Sequence, residues 1–173
     1  MSDGDVLLWM GSASDWKHLE GAVTVIEELG LSSRVRVSSA HRTPERTLEL
    51  VREAEKDGCR VFICAAGMAA HLAGVVAGHT TRPVLGVPLP GGVLDGVDAL
   101  LSTVQMPGGI PVGTFAVGKA GAKNAAFVAA QVVALDRPEV AAALTAARRA
   151  GGDMVVTSDA KIQAELSGKG AGR

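Results

Sequence analysis

Ser38-Ser39-Ala40-His41-Arg42-Thr43-Pro44 joins a β-branched run, Val35 to Val37, to a helical pattern, Glu45 to Lys56. A strand that hands directly to a helix is the repeating unit of an α/β sheet, and such sheets bind ligands at their strand exits. Pro44 suits the first helical position, where its missing N–H would have had no partner. His41 and Arg42 therefore stand at a strand exit and a helix mouth. Helix-start amides and a guanidinium together favour an anion, and imidazole is the side chain type that titrates near neutrality. The same stretch also suits a plain helix cap carrying a surface histidine and arginine.

Outward from this stretch the alternation repeats. Val6 to Met10 reads as a first strand and Trp16 to Leu29 as an amphipathic helix, with Leu19, Ala22, Val23, Ile26 and Leu29 at helical spacing and Gly30 as its stop. Arg34 to Ser38 is the second strand. Glu45 to Lys56 follows, with Leu48, Val51 and Ala54 or Glu55 on successive turns. Arg60 to Ala65 predicts a third strand, Leu72 to Gly78 a short helix, and Pro83 to Val87 a fourth strand ending in a loop, Pro88 to Gly92. Asp95 to Val104 reads as helix, Val112 to Val117 as the fifth strand, and Ala122 to Leu135 as a helix apolar nearly all round, hence buried, between subunits. This pattern predicts a three-layer αβα fold, a flavodoxin-like parallel five-stranded sheet with C-terminal helices. Residues 1–150 read as a single α/β domain, with a further helix over Pro138 to Ala150. Gly151-Gly152 breaks it, Asp153 to Leu166 forms a last helix, and Ser167 to Arg173 is a frayed tail.

Composition narrows the partners. The 173 residues fit one domain with a sizeable core, and the net charge of −1 comes with no basic block. Trp9, Trp16, Phe62, Phe115 and Phe127 are the only aromatic residues. A single-strand nucleic-acid binder wants stacking rings and a basic groove, so no nucleic acid is expected. No apolar run reaches the roughly 20 residues that span a bilayer, and Met1 to Asp5 is acidic and lacks a signal pattern. Cys59 and Cys64 are not in a Cys-x-x-Cys arrangement, and Cys64 lies in an apolar run as a buried thiol. A reducing cytoplasm is the expected compartment. The 22 glycines and abundant alanines leave little large apolar volume, which points to an oligomer.

Three turns carry polar groups. Gly11-Ser12-Ala13-Ser14-Asp15 is neither Gly-x-Gly-x-x-Gly nor a Walker loop, so ATP and dinucleotides are disfavoured. Its hydroxyls and helix-start amides make a monophosphate seat. Asp15 either caps the helix or accepts from a ribose diol. The third turn, Ala66 to His71, offers Gly67 for close backbone approach to a ligand. His71 taken alone better suits a structural histidine. The three turns after consecutive strands can face one cleft. His41 and His71 supply at most two of the three convergent ligands that a metal would need.

These residues resemble a known family. Gly11-Ser12-Ala13-Ser14-Asp15-Trp16, Ser39-Ala40-His41-Arg42-Thr43-Pro44, Ala69-Ala70-His71-Leu72, Gly86-Val87-Pro88 and Ser102-Thr103-Val104-Gln105-Met106-Pro107-Gly108-Gly109-Ile110-Pro111-Val112 are similar to the catalytic subunit of phosphoribosylaminoimidazole carboxylase. The bacterial form of that family is N5-carboxyaminoimidazole ribonucleotide mutase, of de novo purine synthesis. The resemblance runs from about Val6 to Leu135. It implies that residues 1–150 are the catalytic domain of a cofactor-free, metal-free homo-octamer with its sites at subunit interfaces. A separate ATP-dependent synthetase would supply the N-carboxylated ribotide. The resemblance places His41 and His71 as catalytic residues, with Ser12, Ser14, Asp15, Ser39, Arg42, Gly67, Ala70 and Leu72 holding the substrate. Ala66 to His71 and Gln105 to Pro111 would wall in carbon dioxide. Related carboxylases that use free carbon dioxide usually carry Lys where Arg42 stands and a Ser-Asn pair in the third turn, so Arg42 and Ala69-Ala70-His71 favour the mutase. Met68 stands where many relatives have Gly, and Ala73 where many have Pro. The alternatives are the carboxylase on the same fold and a ribotide-binding module without catalysis.

Overall fold

Every residue from Val6 to Met10 is buried, as a central strand covered on both faces must be. Successive side chains point to opposite faces. Val6 and Leu8 join one apolar cluster with Leu19, Ile26 and Val133, while Leu7 and Trp9 join the other with Leu50, Phe62 and Val76. In this computed structural model, which describes residues 4–170, the elements are β1 (Val6–Met10), α1 (Trp16–Glu28), β2 (Ser33–Val37), α2 (Pro44–Lys56), β3 (Val61–Gly67) and α3 (Leu72–Ala77). They continue as β4 (Val84–Leu89), α4 (Val97–Val104), β5 (Gly113–Thr114), α5 (Lys119–Val133) and α6 (Pro138–Gly170). All neighbouring strands are parallel, in the order β2-β1-β3-β4-β5. This is the expected flavodoxin-like sheet. The order reverses between β1 and β3, which opens a crevice at their C-terminal ends.

Several boundaries differ from the sequence reading. α2 buries Thr47, Leu50, Val51 and Ala54, with Leu48 at the margin of that face. Pro88 lies inside β4 rather than in a loop; it faces Ala66 in the β3 ladder and accepts a hydrogen bond from the Gly118 amide at 2.8 Å. α4 starts at Val97 because Asp95 and Gly96 take positive φ angles of 45° and 94°, outside any helix. β5 has only two regular residues, since beyond Thr114 the chain holds β4 through isolated bonds such as Phe115 N–H to Gly86 C=O at 3.0 Å. α5 is buried along Ala122, Ala125, Ala126, Ala129 and Val133, against α1 and the sheet, while Leu135 beyond its end is 87% exposed.

The largest correction is at the C-terminus. Gly151-Gly152 does not break the chain; α6 runs through it to Gly170. A glycine costs a helix about 1 kcal/mol relative to alanine, which weakens it without forbidding it. The expected frayed tail is helical as far as Gly170, and its last residues, 171–173, lie outside the described residues.

Asp5 ties α6 to the sheet. Its carboxylate accepts two bonds from Arg137, at 2.6 and 3.0 Å, and bonds from the Ser32 amide and hydroxyl. Burial pushes its pKa up, but the Arg137 and Ser32 bonds outweigh this and hold it below the ordinary 3.8. The folded form therefore binds the ionised carboxylate. This stability is fully present above that ordinary value and is lost as pH falls through the lower folded one. Asp5→Asn is expected to lose about 3 kcal/mol at neutral pH, because it strands a partly buried guanidinium. Urea titrations of both proteins should show the difference narrowing below about pH 4; a pH-independent gap would show that Asp5 acts only through shape.

Candidate active site

The turn after β2 is locked from within. Ser38 is buried and its hydroxyl accepts from Trp9 Nε1 at 2.9 Å while bonding the Thr47 hydroxyl. The Thr43 amide donates to Ser39 C=O at 2.9 Å, the Ser39 amide donates to Thr43 Oγ1, and the Arg42 amide donates to Ser39 Oγ. These bonds use the turn's own polar groups, so the His41 and Arg42 side chains project outward and are exposed. Pro44 is the first residue of α2, as expected.

The turn after β1 is closed in the same way. Ser12 caps a short 3₁₀ turn, Ala13–Asp15, and Asp15 Oδ2 accepts from the Ser12 amide at 3.1 Å. The Ser12 and Ser14 hydroxyls lie 2.9 Å apart. Burial raises the Asp15 carboxyl above its ordinary value, with the Ser12 amide and His18 pulling it part of the way back. Asp15 thus closes the capping box of the 3₁₀ turn, while at the N-cap position of α1 its side chain makes no cap bond. Its side chain also lines the cleft described next.

The turn after β3 brings His71 across to His41. His41 Nε2 and His71 Nδ1 are 2.8 Å apart, with the rings edge to face at 77° and centroids 4.9 Å apart. One nitrogen donates and the other accepts, so a single proton is shared between two rings on different turns. Around the pair lies a cleft of ≈ 540 Å³ lined by Ser12, Ser14, Asp15, Ser39, Arg42, Gly67 and Leu72 among others. Arg42 makes no ion pair among the described residues, so its charge is available to an anion. Ala70 does not reach the cleft: its methyl is buried, and its amide donates to Ser102 Oγ at 3.0 Å and to Met68 C=O. Nor does the Gln105 to Pro111 loop; its Gly109, Ile110 and Pro111 line a separate cavity with Glu55 and His79. Among the described residues no group of three His, Cys, Asp or Glu is poised for a metal ion.

With this arrangement established, comparison with known proteins is decisive. The family model for AIR carboxylase matches residues 5–153. The chain belongs to the AIR carboxylase family. It is 50% identical to the N5-carboxyaminoimidazole ribonucleotide mutase of Brucella melitensis over 146 residues, which is 84% of this chain and 90% of that one. It is 48% identical to the Escherichia coli K12 enzyme of the same name, over 87% and 89% of the two chains. The Mycobacterium tuberculosis H37Rv protein of that name is 45% identical over 92% and 90%. Among solved structures, that of Treponema denticola PurE superposes with a TM-score of 0.81 at 29% identity, covering 90% of this chain and 96% of that one. The family match ends at Asp153, so the distal part of α6 lies beyond it.

Within this family member, the sequence reading missed one wall of the cleft. Leu89, Pro90, Gly91 and Gly92, at the exit of β4, complete the lining. Asp95 Oδ1 accepts from the Gly91 amide and pins this loop. A fourth strand exit with a Pro-Gly-Gly run was the available signal. Met68 is a non-glycine residue at φ 52°. Its carbonyl accepts from Ser102 Oγ and the Ala70 amide, which hold it in that conformation. Ser102, on α4, thereby fastens the turn that presents His71.

Proposed function

We propose that this cleft performs the N5-carboxyaminoimidazole ribonucleotide mutase reaction of de novo purine synthesis, and that the His41–His71 contact is the observation that carries its mechanism. Arg42, with Ser12, Ser14, Asp15 and Ser39, holds the phosphate and ribose of the ribotide. Gly67 and Leu72 flank the base. The N–carboxylate bond breaks as His41 delivers a proton to the departing exocyclic nitrogen, leaving carbon dioxide and the neutral aminoimidazole. The enamine-like ring carbon attacks the trapped carbon dioxide. The proton left on that carbon returns to His41, and the ring regains aromaticity. The net change is an isomerisation in which the proton is borrowed and returned, so no cofactor or metal is called for. His71 shares the proton of His41 and fixes its ring.

The same reading makes residues 1–150 the catalytic domain, with 151–173 an appendage. It makes the protein a homo-octamer of the cytoplasm, fed by an ATP-dependent synthetase that makes the N-carboxylated ribotide. No helix of the described residues is long and apolar enough to cross a membrane.

Two reactions run side by side test the reaction class. One contains freshly generated N-carboxylated ribotide, the other the uncarboxylated ribotide with low bicarbonate. Fast product in the first alone is the expected result. Fast product in the second alone identifies a carboxylase using free carbon dioxide, and binding without product in either identifies a ribotide-binding module. Arg42→Ala is expected to weaken ribotide binding by about 2 to 3 kcal/mol, the value of a charged hydrogen bond to phosphate. Calorimetry with the uncarboxylated ribotide measures it, and unchanged affinity would remove Arg42 from the phosphate site.

A further inference from the structure

Met68 combines two features that a glycine in its place would avoid. Its backbone sits at φ 52°, in the left-handed region where a Cβ crowds the following carbonyl, so it persists only where the surroundings hold it. The Ser102 hydroxyl and the Ala70 amide, both donating to the Met68 carbonyl, do the holding. Its side chain is large, apolar and 63% exposed. That side chain belongs to neither apolar cluster of the core. It lies on the wall of the cleft instead, and it reaches the neighbouring strand exit. A Cβ built on Gly92 would stand 3.0 Å from Met68 Cγ and 3.9 Å from its Sδ. The methionine therefore passes over a bare glycine backbone in the loop after β4, and Gly92 leaves the room that it occupies. Of the larger apolar residues lining the cleft, Leu72 and Leu89 are buried, whereas Met68 is exposed. The imidazoles, Arg42, Asp15 and the serines that share the lining suit a ribotide and also attract water. Carbon dioxide has no charge, no net dipole and no proton to donate, so these groups do not hold it.

We propose that the Met68 side chain is the apolar cover that keeps carbon dioxide in the cleft between its release and its recapture, and so sets the fraction of turnovers that end as product. This deepens the mutase reading of the cleft and rests on it. Once the N–carboxylate bond has broken, the gas has two fates. In one, the ring carbon attacks it and the new carbon–carbon bond retains it. In the other it leaves the cleft and takes up water to give bicarbonate and a proton. The uncarboxylated ribotide then keeps the proton that His41 delivered, and the proton released on hydration balances it. Only the second fate needs a path to water. An apolar side chain spanning the exits of β3 and β4 closes that path and excludes water from the gas. Methionine suits this duty because it is unbranched and has three rotatable bonds, so it swings aside for the ribotide and settles over it. The left-handed backbone sets the direction in which the Cβ leaves the turn, and the side chain thereby reaches Gly92.

The test is a single turnover of the full chain on N-carboxylated ribotide isotopically labelled in its carboxylate carbon, in unlabelled bicarbonate, corrected for enzyme-free decay. Mass spectrometry reads labelled product against uncarboxylated ribotide. The parent is expected to deliver its label to product. Met68→Gly relaxes the backbone and removes the cover, whereas Met68→Asn keeps a residue tolerant of left-handed φ and sets a short amide there. Both are expected to raise the ratio of uncarboxylated ribotide to labelled product about tenfold, the effect of one lost apolar contact, with melting temperatures close to the parent's. Met68→Leu keeps the apolar bulk and should hold the ratio near the parent's. Label retained equally by the glycine and asparagine variants would overturn the role of Met68 and leave the reaction standing. Loss of label in the glycine variant alone would overturn it too, since a loosened backbone and not the side chain would then be responsible. So would a leucine variant as leaky as the glycine one. A parent that makes no product from the N-carboxylated ribotide would instead overturn the reaction itself, and the cover with it.

Discussion

His41→Asn is expected to lower turnover by about 10³-fold while ribotide affinity stays essentially unchanged. Asparagine keeps a polar, uncharged group on the same Cγ but stops at the Nδ1 position, short of the Nε2 that meets His71. It cannot carry a proton. General acid–base catalysis contributes about 10² to 10⁴-fold, and here one group serves both the protonation of nitrogen and the deprotonation of carbon. Both steps should therefore fail together. The phosphate and ribose contacts proposed above belong to Arg42, Ser39 and the Ser12–Asp15 turn and not to the imidazole, so binding is expected to persist. Single-turnover rates with the N-carboxylated ribotide, paired with calorimetry on the uncarboxylated one, separate the two effects. His71→Asn should be milder, since His41 keeps its proton-carrying ring and loses only the partner 2.8 Å away. An unchanged rate in His41→Asn would sink the proton-carrier mechanism. A loss of affinity equal to the loss of rate would show instead that His41 binds rather than reacts.

Gly121→Ala is expected to destabilise the fold by about 3 kcal/mol or more, a drop in apparent Tm on the order of 10 °C. Gly121 lies in the first turn of α5, where the chain returning from β5 runs against it. A Cβ added there would stand 1.7 Å from the Ala116 carbonyl oxygen and 2.6 Å from its carbon. Backbone on that side cannot rotate away as a side chain would. The only relief is to shift α5, whose alanine face packs against α1 and the sheet. Overpacking of this kind exceeds the usual core penalty because the obstacle is rigid. Gly121 does not line the cleft, so the fraction that remains folded should turn over normally. Thermal melts and urea midpoints, with turnover per folded chain as the control, decide this. A melt like that of the parent would mean that the α5 entry is loosely held.

The parallel sheet was legible because its signals are local. Val6–Met10 and the apolar run from Val61 are continuous because both faces are covered. Pro44 marked the first residue of α2, and Gly30, at φ 79°, turns the chain after α1. The glycine pair at 151–152 misled for the converse reason. A local preference of about 1 kcal/mol per glycine was read as a stop, while the alanines and arginines before the pair continue the helix. The short β5 was over-read because its apolar residues pack against the core without completing a ladder.

By itself, the sequence determined the α/β class, three of the four strand exits that line the cleft and most of the residues there. Residue type, spacing and turn chemistry are properties of neighbours along the chain. Only the tertiary structure decided that His41 and His71, thirty residues apart, share one hydrogen bond. It alone added the Leu89–Gly92 wall and the Ser102 clamp on the third turn, and it turned Ala70 inward. It also left every residue from Gly152 to Ser167 of α6 exposed. These outcomes depend on which strand lies beside which and how far each helix reaches. That is settled by packing between segments remote in sequence, where no local pattern carries the information.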